Sequence, residues 1–216
     1  MNRELRAIRV AITCAVIGAV IKATAGAITG SMTMMSSAVD SVGDLMVSVA
    51  NLFVVRIAAR EPDEDHNYGH AKIEGLGAMF EGGFIFAAGG FLVYEAIHKA
   101  VIGEVSHDSA VGLIAMAPVL ALTIGTVLYL RRAAAATGSL VLRADALHYL
   151  TDVYVNIGVV VALALVWLTG RPIIDTVISI GVALYMMAAS VRIVREGFGV
   201  VMDRALAPDD VAAIAA

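Results

Sequence analysis

The sequence predicts an all-α membrane protein, a six-helix transmembrane bundle with cytoplasmic N- and C-termini. Of its 216 residues, 60% are hydrophobic and only 16% are charged, which is more apolar surface than a soluble domain of this length can bury. Six apolar segments are each long enough to cross about 30 Å of hydrocarbon as a helix. The uneven distribution of basic residues predicts on which side the termini lie.

The six segments differ in how cleanly they meet the criteria for a span. The first follows MNRELRAIRV and is too long for the apolar part of a signal peptide, so we interpret it as a span. The fourth is uncharged over 111–130 but contains Pro118, and the third is interrupted near its middle by Glu81, which the sequence does not explain. The segments cover roughly 10–31, 34–57, 72–98, 110–130, 139–168 and 173–195.

Basic residues predict the orientation of the bundle. An even number of spans places both termini on one side, and cytoplasmic loops of membrane proteins are enriched in lysine and arginine. The opposite side has only Lys99 and Arg171. The side of the termini has twelve, namely Arg3, Arg6, Arg9, Arg56, Arg60, Lys72, Arg131, Arg132, Arg143, Arg192, Arg195 and Arg204. We therefore predict cytoplasmic termini.

Two pairs of ionisable residues lie inside the second and fifth spans. Asp40 and Asp44 are four residues apart, as are His148 and Asp152, so each pair shares one face of its helix. Ionisable side chains at membrane depth cost about several kcal/mol each and therefore indicate function. The alternative is that these residues only form hydrogen bonds between helices. Two matched pairs favour this alternative less than a single ionisable residue would.

The two pairs lie at matching depth. Asp44 is about 18 Å along its helix from Arg56, and Asp152 is about 14 Å from Arg143, so both pairs reach one level near mid-membrane. Three carboxylates and one imidazole complete a tetrahedral shell for Zn²⁺. Without the cation, carboxylates this close repel one another and hold protons. Metal binding would then release protons, which predicts proton antiport.

Other polar residues in these spans have less specific interpretations. We expect Asn51 and Asn156, which continue the faces of the two pairs, to form hydrogen bonds between helices. We expect Arg143 and Asp145, near the cytoplasmic boundary, to be snorkelling charges or part of an access funnel.

The longest cytoplasmic connection, REPDEDHNYGHAK, is rich in acids and histidines. His66 and His70 are four residues apart and Asp63 precedes them, and the neighbouring acidic residues would concentrate cations. Composition alone leaves open a solvated loop with two ordinary histidines.

Four motifs resemble those of the cation diffusion facilitator family, most closely the bacterial YiiP/FieF-type zinc transporters, through all six spans. They are DSVGD at 40–44, HNYGHAK at 66–72, RADALHYLTD at 143–152 and MDRAL at 202–206. The resemblance implies a transport site of Asp40, Asp44, His148 and Asp152. It also implies a six-helix domain of the inner (cytoplasmic) membrane that forms a homodimer and alternates between inward- and outward-facing states.

The resemblance has further implications outside the spans. It implies a second zinc site at Asp63, His66 and His70, and a charge pair between Lys72 and Asp203 that helps to hold the dimer in register. The family usually continues after MDRAL into a soluble cytoplasmic domain, whereas this chain stops at Ala216. We therefore expect a transport domain at 1–206 and a short tail at 207–216, as an engineered membrane domain or a naturally short form.

The predicted function is export of Zn²⁺, or of Cd²⁺, Fe²⁺, Co²⁺ or Mn²⁺, in exchange for protons, since no ATP-binding motif occurs. The alternative is a non-transporting metal sensor or assembly scaffold in the membrane. An intramembrane metalloenzyme is disfavoured because no HExxH motif occurs and a closed four-ligand shell leaves no place for activated water. A net charge of −4 gives no case for nucleic-acid binding.

Overall fold

The computed structural model describes residues 2–29, 32–102, 110–171 and 173–203, which form six helices with no β-strand among them. All six are long and apolar enough to cross a membrane, which confirms the predicted fold class. The predicted tail at 207–216 lies outside the described residues. The helices are α1 (Asn2–Thr29), α2 (Met32–Ala58), α3 (Lys72–Ile102), α4 (Ala110–Thr137), α5 (Leu140–Thr169) and α6 (Ile173–Val201).

Several helices extend beyond the apolar spans that the sequence predicts. α1 begins at Asn2 rather than near residue 10, α4 continues to Thr137, and α6 continues to Val201. Hydropathy identifies the residues that prefer the lipid hydrocarbon. A helix can continue beyond those residues into water where residues of high helix propensity follow. The extensions of α1 and α4 are rich in arginine and alanine, which favour helix in water.

The helices form a bundle of α1, α2, α4 and α5, with α3 and α6 packed closely against each other beside it. Helix α5 contacts all five other helices. Its residues Leu142, Tyr149 and Val153 belong to the largest hydrophobic cluster, together with Ile8 of α1 and Leu130 of α4. The helix that carries His148 and Asp152 is therefore the central element of the structure.

A two-residue turn fixes where α5 begins. Gly138 adopts a left-handed conformation (φ 73°), which glycine tolerates at a helix C-terminus, and its N–H donates to the Ala134 carbonyl at 2.8 Å. Ser139 then caps α5 by accepting a hydrogen bond from the Leu142 N–H. The same hydroxyl donates to the Glu74 carboxylate of α3, so the turn is also joined to the neighbouring helix.

Glycines allow α3 and α6 to approach closely. Gly75, Gly82 and Gly89 lie seven residues apart and are buried on one face of α3. A Cβ atom on Gly75 would lie 2.8 Å from the Gly197 carbonyl oxygen, and one on Gly89 would lie 3.2 Å from the Ala183 carbonyl oxygen. The backbones are thus in contact, an arrangement typical of membrane helix pairs with small residues at the interface.

We predict that Gly75→Ala destabilises the protein, because the added methyl group would clash with backbone that cannot rotate away. Overpacking of this kind costs roughly 1–3 kcal/mol. Gly83→Ala is the matched control, since a Cβ there meets nothing within 4 Å and alanine favours helix by about 1 kcal/mol. Thermal unfolding in detergent should show a lower midpoint for the first variant alone. Equal midpoints would contradict the close approach.

Candidate metal centre

Three of the four predicted intramembrane ligands lie together between α2 and α5. His148 Nε2 is 3.1 Å from Asp44 Oδ1, and one ligand atom from each of Asp44, His148 and Asp152 lies within 4.8 Å of the others. His148 is buried and both aspartates are half-buried. Donor atoms around a tetrahedral Zn²⁺ lie about 3.3 Å apart at standard bond lengths, so small side-chain movements would bring all three to one ion.

Asp40 lies apart from this group. Its side chain is exposed, one helical turn from Asp44 toward the connection between α1 and α2. It nevertheless lines the same cavity as Asp44 and Asp152, a space of about 190 Å³ enclosed by α1, α2, α4 and α5. The structure therefore places the fourth predicted ligand on the cavity wall.

Lys22 of α1 lines the same cavity and was not assigned a function from the sequence. Its side chain is only 9% exposed, and its Nζ donates to Ser41 Oγ at 2.8 Å. It shares the wall of this cavity with Asp40 and Asp152. The position of Lys22 within an apolar span is a sequence feature that indicates a buried polar contact, because such a charge needs a partner at membrane depth.

The charges around the cavity suit a divalent cation. When Asp40, Asp44 and Asp152 are all ionised they carry three negative charges, and Lys22 supplies one positive charge. The difference, two negative charges, is what one divalent ion would neutralise. Because the surrounding helices are apolar, these charges interact more strongly than they would in water.

A second buried polar network lies beside the group of Asp44, His148 and Asp152, and its member Tyr149 also lines the cavity. Asn51 Nδ2 donates to Glu81 Oε2 at 3.1 Å, and Ser48 Oγ donates to Asp145 Oδ1 at 3.4 Å and lies 3.0 Å from the Tyr149 hydroxyl. Glu81 and Asp145 are both 0% exposed. Each has one carboxylate oxygen with no hydrogen-bond partner among the described residues.

The expectation that Asp145 is a snorkelling charge is therefore wrong. The distance of Asp145 along the chain from Arg143 indicates its depth in the membrane. It does not indicate the direction in which the side chain points. Asp145 lies three residues before His148 and faces the core with it. Arg143 does behave as a boundary charge, since it is exposed and its Nη1 lies 2.6 Å from Glu196 Oε2 of α6.

The two asparagines have different partners. Asn51 forms the predicted bond between helices, to Glu81, and so supplies a partner for a carboxylate that the sequence left unexplained. Asn156 does not, because its Nδ2 donates to the Asp152 carbonyl of its own helix at 2.7 Å. A backbone carbonyl one turn earlier is always available to a polar side chain in a helix.

The loop between α2 and α3 brings its three predicted ligands together. Asp63 Oδ1 lies 3.3 Å from His66 Nδ1, and Asp63 Oδ2 lies 3.4 Å from His70 Nε2. All three residues offer ligand atoms within 4.8 Å of one another. The His66 N–H also donates to Asp63 at 2.7 Å, and this backbone bond is the main reason that the pKa of Asp63 lies below its usual value.

Lys72 and Asp203 form an ion pair between the beginning of α3 and the residues that follow α6. The Nζ–Oδ2 distance is 2.7 Å, and the side chains are 53% and 75% exposed. Exposed pairs contribute about 0–1 kcal/mol. Within one chain, this contact is therefore only a weak link between the two helices.

Comparison with known proteins relates the whole six-helix region to one family. The family model described as the cation efflux transmembrane domain matches residues 8–202. The cation-efflux pumps FieF of Yersinia pestis (strain Pestoides F) and Cronobacter sakazakii (strain ATCC BAA-894) are 35% and 34% identical over 178 residues. Each alignment covers 82% of this chain and 59% of the relative, so the chain matches little more than half the length of these curated relatives.

We predict that the Asp63 carboxyl group titrates at a lower pH than aspartate in an unstructured peptide of residues 61–70. Because its pKa is lowered in the folded loop, its contribution to loop stability is present above the unfolded pKa and is lost as pH falls through the folded one. The ¹³C chemical shift of the Asp63 carboxyl carbon, followed by NMR, would measure both midpoints. Coinciding midpoints would mean that the His66 N–H does not hold the carboxylate in solution.

Proposed function

The chain belongs to the cation efflux family, and from this premise we propose that it is a secondary active transporter. It exports Zn²⁺, or a similar divalent metal such as Cd²⁺ or Fe²⁺, from the cytoplasm in exchange for protons. The observation that carries the proposal is the group of Asp44, His148 and Asp152, drawn from two membrane-spanning helices and bordering a cavity.

The donor atoms favour a divalent transition metal. Imidazole nitrogen with carboxylate oxygens suits Zn²⁺ and Cd²⁺, and it excludes no ion among Fe²⁺, Co²⁺ and Mn²⁺, because these accept the same donors. Large soft-metal clusters are disfavoured, since the chain has a single cysteine, Cys14. The metal is cargo, so the site must release it as readily as it binds it.

Protons are the natural counter-substrate of such a site. The three carboxylates and the imidazole bind a metal ion only when deprotonated, so each metal ion that binds displaces protons. Removal of the metal leaves buried like charges, which favours the return of protons. Metal and protons therefore occupy the site alternately, which is the requirement for exchange.

The position of Asp40 is consistent with a route from the site to the outer side. The cavity extends from Asp44 past Asp40 and Lys22 toward the α1–α2 connection, which lies at the end of the bundle opposite the termini. With cytoplasmic termini, as the basic residues predict, this end is external. In this conformation Asp40 would receive the metal ion leaving the Asp44–His148–Asp152 group.

The opposite side of the site is closed by polar contacts between helices. Asn51 bonds to Glu81 across α2 and α3, and Ser139 bonds to Glu74 across the α4–α5 turn and α3. An inward-facing state requires these contacts to open or shift, because metal must reach His148 from the cytoplasm. In the proposed cycle, these contacts and the position of the cavity support an outward-facing state.

The remaining features complete the proposal. The loop residues Asp63, His66 and His70 bind a second metal ion, with water as the fourth ligand, for capture or regulation. Two copies of the chain form a homodimer in the inner membrane, with Lys72 and Asp203 near their cytoplasmic ends. Residues 1–206 form the transport domain.

We predict that Asp44→Ala and Asp152→Ala each abolish zinc flux, because each removes a ligand from the intramembrane group. Proteoliposomes with an internal zinc indicator and an imposed proton gradient would measure the flux. Asp175→Ala is the control, since Asp175 lies in the first turn of α6 and outside the cavity. Undiminished flux in either ligand variant would overturn the site. Zinc binding without flux in the unsubstituted protein would instead support the sensor or scaffold.

We predict that Lys22→Met increases zinc affinity about tenfold, equivalent to ~1.4 kcal/mol, and slows turnover. Removal of the positive charge leaves the carboxylates free to attract the metal more strongly, so release becomes harder. Lys22→Arg should keep the affinity within about twofold. Isothermal calorimetry gives the affinity, and the flux assay gives the turnover. Weaker binding by Lys22→Met would show that Lys22 supports the site's structure and does not oppose the metal charge.

A further inference from the structure

A separate pocket of about 510 Å³ lies between α4, α5 and α6. It shares no lining residue with the cavity beside the metal-ligand group. Each of the three helices contributes one arginine to its wall: Arg131 from α4, Arg143 from α5 and Arg192 from α6. Three guanidinium groups around one pocket repel metal cations, so this pocket does not serve the proposed metal route.

Two of the three charges remain uncompensated. Arg143 is paired with Glu196 through both of its terminal nitrogens, at 2.6 and 3.2 Å. Arg131 and Arg192 form no ion pair within the part of the chain that the structure describes. The pocket therefore presents two free guanidinium groups, whose fork of N–H donors matches the oxygens of a phosphate group.

An apolar groove continues from this pocket along α5 and α6. Tyr185 lines both the pocket and a second space of about 360 Å³, whose other walls include Ile157, Val161, Ile178 and Val182. Gly158 and Gly181 keep this space open because they have no side chains to fill it. The groove thus offers hydrocarbon surface and almost no hydrogen-bonding groups.

The order of the two spaces matches the shape of a lipid. The arginines lie near the beginning of α5 and the second half of α6, at the end of the helices that carries the termini. The apolar groove lies deeper, at residues 157–161 of α5 and 178–182 of α6. A lipid in the adjoining leaflet has the same order, with its phosphate at the surface and its chains toward the bilayer centre.

We propose that this pocket and groove bind one anionic phospholipid. Arg131 and Arg192 hold its phosphate, and an acyl chain lies in the groove between α5 and α6. Since the lipid contacts three helices, including α6 on one side and α4 on the other, it fills a gap at the boundary between the four-helix bundle and the α3–α6 pair. The charge on the phosphate supplies the partner that Arg131 and Arg192 lack among the described residues.

The test uses the full chain, purified in detergent and stripped of lipid, with dioctanoyl phosphatidylglycerol as the probe and native mass spectrometry as the readout. Arg131→Gln/Arg192→Gln should weaken binding at least tenfold, since each basic contact to an anionic lipid contributes substantially. The matched control is Arg132→Gln/Arg195→Gln, which removes the same charge from the same two helices outside the pocket. All four side chains are exposed, so neither variant disturbs the core. Equal losses in both variants would overturn the proposal in favour of a diffuse basic surface.

A second arm distinguishes a lipid from a free anion. Gly181→Leu places an apolar side chain in the groove, and its Cβ would meet nothing within 4 Å. This substitution should weaken phosphatidylglycerol binding at least fivefold. Glycerol phosphate should bind far more weakly than the lipid to every variant. Glycerol phosphate binding as tightly as the lipid, or phosphatidylethanolamine binding as tightly as phosphatidylglycerol, would overturn the assignment. None of these measurements depends on transport, so failure of the proposed function would leave them interpretable.

Discussion

The contact between His148 and Asp44 joins α5 to α2 within their membrane-spanning segments, and the rest of the arrangement depends on it. Polar groups surrounded by hydrocarbon must find partners on neighbouring helices. Helix α5 carries His148, Asp145 and Asp152 on adjoining parts of its surface. On α2, Asp44 contacts His148 and Ser48 contacts Asp145. This requirement explains why α5 is the central helix, in contact with all the others.

The sequence predicts those features that follow from position along a helix. Six apolar runs predict six helices, and spacing of four predicts that His148 and Asp152 share a face. The separation of Asp40 from the ligand group could not be predicted, because it depends on how α2 is placed against α5 and not on spacing within α2. The burial of Asp145 was missed for a related reason, since distance from Arg143 defines depth alone. The pocket between Arg131 and Arg192 forms only when three helices pack together, so no local sequence pattern predicts it.

The contacts within the α3–α6 pair differ from those between the pair and the bundle. Within the pair, glycines bring the backbones into direct contact at Gly75 and Gly197, so neither helix can shift without the other. Between the pair and the bundle, Ala78 and Ile193 pack against Ala144 through side chains, and buried hydrogen bonds such as that of Asn51 with Glu81 can be exchanged for others at modest cost. If the helices rearrange during transport, displacement of the pair as a rigid unit requires the fewest packing changes.

The loop at residues 59–71 joins α2 of the bundle to α3 of the pair, and it contains Asp63, His66 and His70. Any displacement between the two units must be accommodated by this loop. A metal ion ligated by all three residues would fasten together points that are three and seven residues apart along the chain, and so shorten the loop's reach. The loop would then act as an adjustable tether, and the amount of free metal on its side of the membrane would set how far the bundle and the α3–α6 pair can separate.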